Sequence, residues 1–203
     1  MNKRKTIIAA IILLLVFTVG GLIAYFTDQE SKTNTFTIGN VNIALTETNW
    51  DLTDDNDNGV PDAAESLMPG QTVPKNPTIV NESTTNKAYV FMKVEVPCTT
   101  ETTPKEFFTY TVNSGWTELS TAAVACTSGG TATHVYYYGT GGTLSELAVS
   151  PATTPALFNN VTLVNLTGTE GITGNKNVIA TGYGIQTQGL TDTTPSGVWG
   201  NFS

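Results

Sequence analysis

The stretch "AYVFMKVEV", residues 88–96, decides the fold. Val90, Met92, Val94 and Val96 recur at every second position, and Lys93 and Glu95 fall between them. That is the period of a β-strand, whose successive side chains point to opposite faces. Pro97 follows and is read as the stop, because proline cannot donate to a strand ladder. Similar runs lie on both sides: "TFTIGNVNIALTE" (35–47), "EFFTYTV" (106–112), "THVYYYG" (133–139), "FNNVTLVNL" (158–166) and "NVIATGYGIQTQ" (177–188). All are rich in β-branched and aromatic residues. Gly- and Thr-rich pieces such as "TSGGTAT" and "GTGGT" separate them as loops. In the first run the apolar parity switches at Gly39-Asn40, which calls for a bulge, a turn or a break between two strands. "TLSELAV" (143–149) is the one stretch that reads as a short helix. Many short strands without intervening helices give an all-β fold, a sandwich or barrel. No internal repeat or second-domain break is visible, so residues 39–203 read as one β-sandwich domain.

Composition narrows the function classes. The chain has 203 residues, a net charge of −8 and only 13% charged residues. So acidic a protein has little attraction for a phosphate backbone, and no nucleic-acid partner is expected. The N-terminus reads as an export signal over residues 1–24. Lys3, Arg4 and Lys5 form a basic cap, an apolar run follows, and Ala24 supplies the small residue at a cleavage site before Tyr25. The alternative is a retained anchor, since the apolar character persists to Phe26, about 20 residues. No second apolar run follows, so the membrane enters only through an uncleaved signal. "PSGVWGNFS" at the far end reads as carrying no lipid or wall-anchoring signal. The expected location is outside the cell, in the matrix or at the surface.

Cys98 and Cys126 are the two cysteines. In an exported chain they are expected to pair, the alternative being two separate buried thiols. "DDNDNGVPDAAE" (54–65) has the spacing of a calcium loop. Asp54, Asn56 and Asn58 take positions one, three and five, Gly59 position six, Val60 the backbone carbonyl at seven, Asp62 nine and Glu65 twelve. Oxygen donors at alternate residues wrap a hard cation, and the last carboxylate closes the shell. The bland alternative is a solvated acidic turn. The expected cofactor is a structural Ca2+ of extracellular-module affinity, about 10⁻⁴–10⁻³ M.

Catalytic signatures are scarce. His134 is the only histidine and is read as a packing or surface residue among tyrosines. Neither H-E-x-x-H nor G-x-S-x-G occurs, so no catalytic residues are assigned and no enzyme is expected.

Several pieces resemble one known family. "AYFTDQESKTNTFTIGNVNIALTE" (24–47) resembles the signal-to-strand junction of the camelysin/TasA-like family of exported biofilm-matrix fibre proteins. "LMPGQTVPKNPTIVNESTTNKAYVFMKVEVP" (67–97) is similar to its turn and core strand, and "VIATGYGIQTQGL" (178–190) with "VWGNF" (198–202) to its closing strand and tail. The resemblance implies a jelly-roll-like antiparallel β-sandwich, release by a dedicated signal peptidase, and assembly into fibres by donor-strand exchange. Some members carry a protease label, for which this chain lacks the histidines of a familiar zinc site.

The physics of the junction points the same way. Cleavage after Ala24 frees an arm, residues 25–38, that reaches roughly 46 Å when extended at about 3.3 Å per residue. It offers Tyr25, Phe26, Phe36 and Ile38 as apolar pegs. A lone strand is unstable in water and gains by adding to a sheet edge. If the acceptor is another copy, the contact is head-to-tail and propagates as a homopolymer; the alternative is insertion into the arm's own sheet. The expected function is a structural fibre subunit, with an anchoring or accessory fibre protein as a further partner. The alternatives are a camelysin-type cell-surface metallopeptidase and a monomeric adhesin.

Overall fold

The computed structural model describes residues 41–50, 53–58, 60–166 and 174–202. The expected signal (1–24), the arm (25–38) with its four pegs, the parity switch at Gly39-Asn40 and loop residue Gly59 lie outside the described residues.

Eleven strands are described: β1 (Ile43–Thr46), β2 (Thr72–Pro74), β3 (Thr78–Asn81), β4 (Ala88–Pro97), β5 (Phe108–Thr109), β6 (Trp116–Glu118), β7 (Thr131–Thr140), β8 (Thr143–Leu144), β9 (Ala152–Thr153), β10 (Asn160–Leu163) and β11 (Ile179–Gln186). One helix, α1 (Pro195–Trp199), closes the series. Every strand pairing is antiparallel. The main sheet runs β11-β4-β7-β6, with β8 attached to β7. Two smaller sheets, β1-β3-β9 and β2-β10-β5, complete the fold. This is the all-β antiparallel sandwich that the alternation predicts.

The core follows from β4. Val90, Met92, Val94 and Val96 are fully buried. Against them pack Ile79 of β3, Val73 of β2, Phe108 of β5, Val161 and Leu163 of β10, and the connecting residues Phe107, Leu157 and Phe158. The opposite face of β4 is not simply solvated. Phe91 there is 0% exposed and belongs to a second cluster with Leu119, Val135, Tyr137 and Val198. Trp199 and Phe202 lie 5.5 and 5.8 Å from its ring. The C-terminal segment therefore covers the outer face of the main sheet. Thr194 caps α1 by accepting from the Gly197 amide, and Pro195 takes the first turn, where its missing N–H costs nothing.

The helix expected over 143–149 is absent. Leu144 pairs in β8, the Leu147 amide donates to the Ala88 carbonyl, and the Leu147 carbonyl accepts from Ala88. Those backbone groups are taken by sheet contacts before a helical turn can use them. The preceding Gly141 and Gly142 have φ of 61° and 81°, which makes the two-residue β7–β8 turn of the kind that suits the strand twist.

Phe158 is fully buried, with its ring 4.4 Å from that of Tyr110. Phe158→Ala is expected to lower stability by about 3–5 kcal/mol, read as a fall in the urea midpoint with an unchanged slope.

Candidate functional site

Three places gather chemistry-bearing side chains. The first is the acidic loop. Among the described residues, Asp54, Asp62 and Glu65 bring carboxylate oxygens within 4.8 Å of one another. The wrap is held by internal bonds. Asp54 accepts from the Asn58 amide at 3.1 Å, Asp62 accepts from the Asp55 amide at 3.2 Å, and Asn58 Oδ1 accepts from Val60 at 2.8 Å. Asp57 sits at φ 55°, a left-handed position that aspartate tolerates. Asn56 and Asn58 turn their amide nitrogens, not their oxygens, to Glu65. A cation in the loop would reverse both amides.

The second is a groove of about 500 Å³ between the edges of two sheets. Leu45 of β1, Ile179 and Ala180 of β11, Val178 and Trp50 supply its apolar lining. Lys75 lies at its wall, with both Glu47 oxygens at 2.8 Å and its ammonium 5.2 Å from the Trp50 ring centre. Leu45 and Ile179 are 36% and 51% exposed, unusual for residues of their size. Among the described residues β11 pairs on one side only, with β4. Its inner face is thin. A Cβ on Gly184 would stand 2.8 Å from Ile43 Cγ2, so glycine there lets β1 approach.

The third is centred on His134. Its Nδ1 lies 2.7 Å from Glu118 Oε1 and its Nε2 2.8 Å from Glu106 Oε1. Tyr110 and Tyr136 share a hydroxyl hydrogen bond at 3.0 Å beside it. The hydrogen bond to Glu106 and the bond to Glu118 raise the His134 pKa to about 9, against the opposing effect of burial. Burial raises both tyrosines, Tyr136 to about 12. Both ring nitrogens face acceptors, so the imidazole is held as its cation, with no lone pair for a metal or a substrate proton. The single histidine was legible in the sequence; its two carboxylate partners, 28 and 16 residues away, were not.

Cys98 and Cys126 form a disulfide spanning 28 residues. The closed excursion carries both His134 partners, Glu106 and Glu118.

A family model described as camelysin metallo-endopeptidase matches residues 2–106, just over half of the chain. The chain belongs to the camelysin metallo-endopeptidase family. Comparison with curated proteins and with solved structures returns no match. Camelysin membership places the protein among those of the cell surface or extracellular space. It also overturns the expectation of no enzyme, because the family is described as an endopeptidase. That expectation rested on missing histidine motifs, and a motif search sees only the donor sets it is built for.

The family description implies a metal. An imidazole-rich zinc set does not fit the described residues, since His134 is engaged at both nitrogens. The oxygens of Asp54, Asp62 and Glu65 do fit a hard divalent cation. No helix among the described residues is long and apolar enough to cross a membrane.

Breaking the disulfide by Cys98→Ser with Cys126→Ser is expected to cost about 3–4 kcal/mol in the loop-entropy picture. Chemical denaturation of the oxidised parent beside the double variant measures it.

Proposed function

We propose that this camelysin-family protein is a secreted structural subunit of extracellular matrix or surface fibres. After cleavage behind Ala24, the arm 25–38 of one copy adds to the sheet edge of the next. The observation that carries this reading is the β11 edge. It is eight residues long, half-exposed, paired on one side among the described residues, and bordered by the apolar groove at Ile179 and Leu45. Long open edges invite strand addition, and pockets beside them select the pegs. Tyr25, Phe26, Phe36 and Ile38 are pegs of suitable kind. The addition is heterologous and therefore runs on as a filament. While the signal is uncut the arm stays tethered, so cleavage by the signal peptidase is the trigger.

Deleting residues 25–38 from the mature chain should abolish filaments in negative stain. Filaments of unchanged number and length would remove the arm as donor. Ile179→Asp places a charge in the groove at an exposed position. It should leave stability within about 0.5 kcal/mol while suppressing filaments.

The family description favours a second reading, a cell-surface metallo-endopeptidase. A cation held by Asp54, Asp62 and Glu65 would supply Lewis-acid polarisation of a carbonyl; in the fibre reading the same cation, calcium, rigidifies the loop. Chelator-stripped protein reloaded with calcium or zinc separates the two. Under the fibre reading, millimolar calcium raises the melting temperature and Asp62→Asn with Glu65→Gln erases the rise. Metal-dependent casein cleavage lost in that variant would favour the peptidase.

A further inference from the structure

The main sheet has two long sides, and they are finished differently. Among the described residues, the half-exposed β11 ends the sheet on its side. On the other side β7 is covered along most of its length. Trp116, Thr117 and Glu118 of β6 pair with Tyr138, Tyr137 and Tyr136. Beyond them the Leu119 amide donates to the Val135 carbonyl at 2.7 Å, and Val124 and Thr133 exchange two backbone bonds at 2.8 and 2.9 Å. The covering residues, 116–124, belong to the excursion closed by Cys98–Cys126.

Three short stretches of pairing are a weak hold. Val124 is 56% exposed, and the intervening turn Ser120–Ala122 holds no fully buried residue, with Ala122 half-buried against the second core cluster. Trp116 and Leu119 anchor the cover in the core, and two further ties are placed at its ends. The disulfide ties Cys126 to Cys98 at the end of β4. His134 of β7 sits between Glu106 and Glu118, one carboxylate from each limb of the excursion. Ala132, His134 and Tyr136 share the inner face of β7, opposite Val96, Val94 and Met92. Among the described residues, Glu106 and Glu118 are the charged groups acting on the imidazole. Lys93 and Glu95 point to the far side of β4, and beyond the two carboxylates the rings of Tyr110 and Tyr136 lie 6.2 Å away.

We propose that residues 99–125 are a locked guard over the β7 edge, held by the Cys98–Cys126 bridge and by the Glu106–His134–Glu118 ion triad, so that strand addition is confined to the β11 edge. The lock stands on the geometry alone; the confinement rests on the strand-addition reading above. Without its cover β7 would present a ten-residue edge with three consecutive tyrosines, a template for wrong pairing.

The lock has a defined pH window. The folded His134 pKa lies above its unfolded value of about 6.5, so the triad's contribution is complete below that value. It is lost as pH rises through about 9, when one ring nitrogen gives up its proton and two carboxylates face each other across a neutral ring.

The chain's single histidine makes the test direct. In the protein as recovered from the cell surface or medium, the His134 ring signals are followed by NMR against pH, with hydrogen-exchange protection factors for Leu119, Val124 and Thr133. The Ala88–Leu147 pair serves as control. His134 should titrate near pH 9, and protection of the three guard amides should fall at least about tenfold across that step while the control pair holds. Glu118→Gln, which keeps one partner, should lower the midpoint, and His134→Gln should show low guard protection with no step. Titration near the ordinary histidine value, or guard protection equal in parent and His134→Gln, overturns the lock. For the confinement, Ile179→Asp is combined with His134→Gln and reduction of the disulfide. Association returning through the β7 edge supports it, and a chain that stays dispersed with that edge exchanging freely overturns it. If Ile179→Asp alone leaves filaments intact, the strand-addition reading fails and the amide data still judge the lock.

Discussion

The burial of β4 on both faces is the constraint from which the other elements take their positions. Val90, Met92, Val94 and Val96 close one core with the two small sheets, and Phe91 anchors a second with the C-terminal segment. A strand with neighbours on both sides and layers above and below has no freedom of register, because a one-residue slip would carry Lys93 and Glu95 into the sandwich. β7 and β11 inherit that register through their pairing with β4. The His134 triad, the groove and the glycine contact on β11 are all consequences of where those two neighbours lie.

The two ends of the main sheet then divide the labour. Among the described residues, one is covered by a segment tied by the Cys98–Cys126 bridge and the His134 contacts, and the other has β11 paired on one side beside a partly apolar groove. Asymmetry of this kind is what a directional assembly requires, since two equally open edges would branch or aggregate. The camelysin family carries an endopeptidase description, which the fibre reading alone does not account for. The acidic loop is where the two meet, because an oxygen-liganded cation can serve either as a strut or as a Lewis acid.

Much of the fold was legible because period-2 alternation is a local signal. Residues 88–96 state their own faces, and β7, β10 and β11 emerge near the runs that announce them. Legibility failed where a distant partner decides. The alternation at 88–96 could not show that Phe91 would be covered by residues 108 and 111 positions downstream. "TLSELAV" looked helical until Ala88 claimed the Leu147 backbone. The acidic loop was readable from spacing because its donors are neighbours in sequence. The environment of His134 was not, because Glu106 and Glu118 reach it through the tertiary fold. The enzyme question was misjudged for a related reason, since absence of one ligand pattern says little about others.

Gly182 and Gly184 of β11 carry a further implication. Their missing side chains let Ile79 and Ile43 settle against the backbone of β11, which draws the two layers together at that end of the strand. Toward Val178 and Ile179 the layers part again around the groove. The tight approach is at Gly184, where a Cβ would stand 2.8 Å from Ile43 Cγ2, while one on Gly182 would meet Ile79 at an ordinary 3.4 Å. A methyl group at Gly184 would push β1 away from β11 and open the space between the two layers.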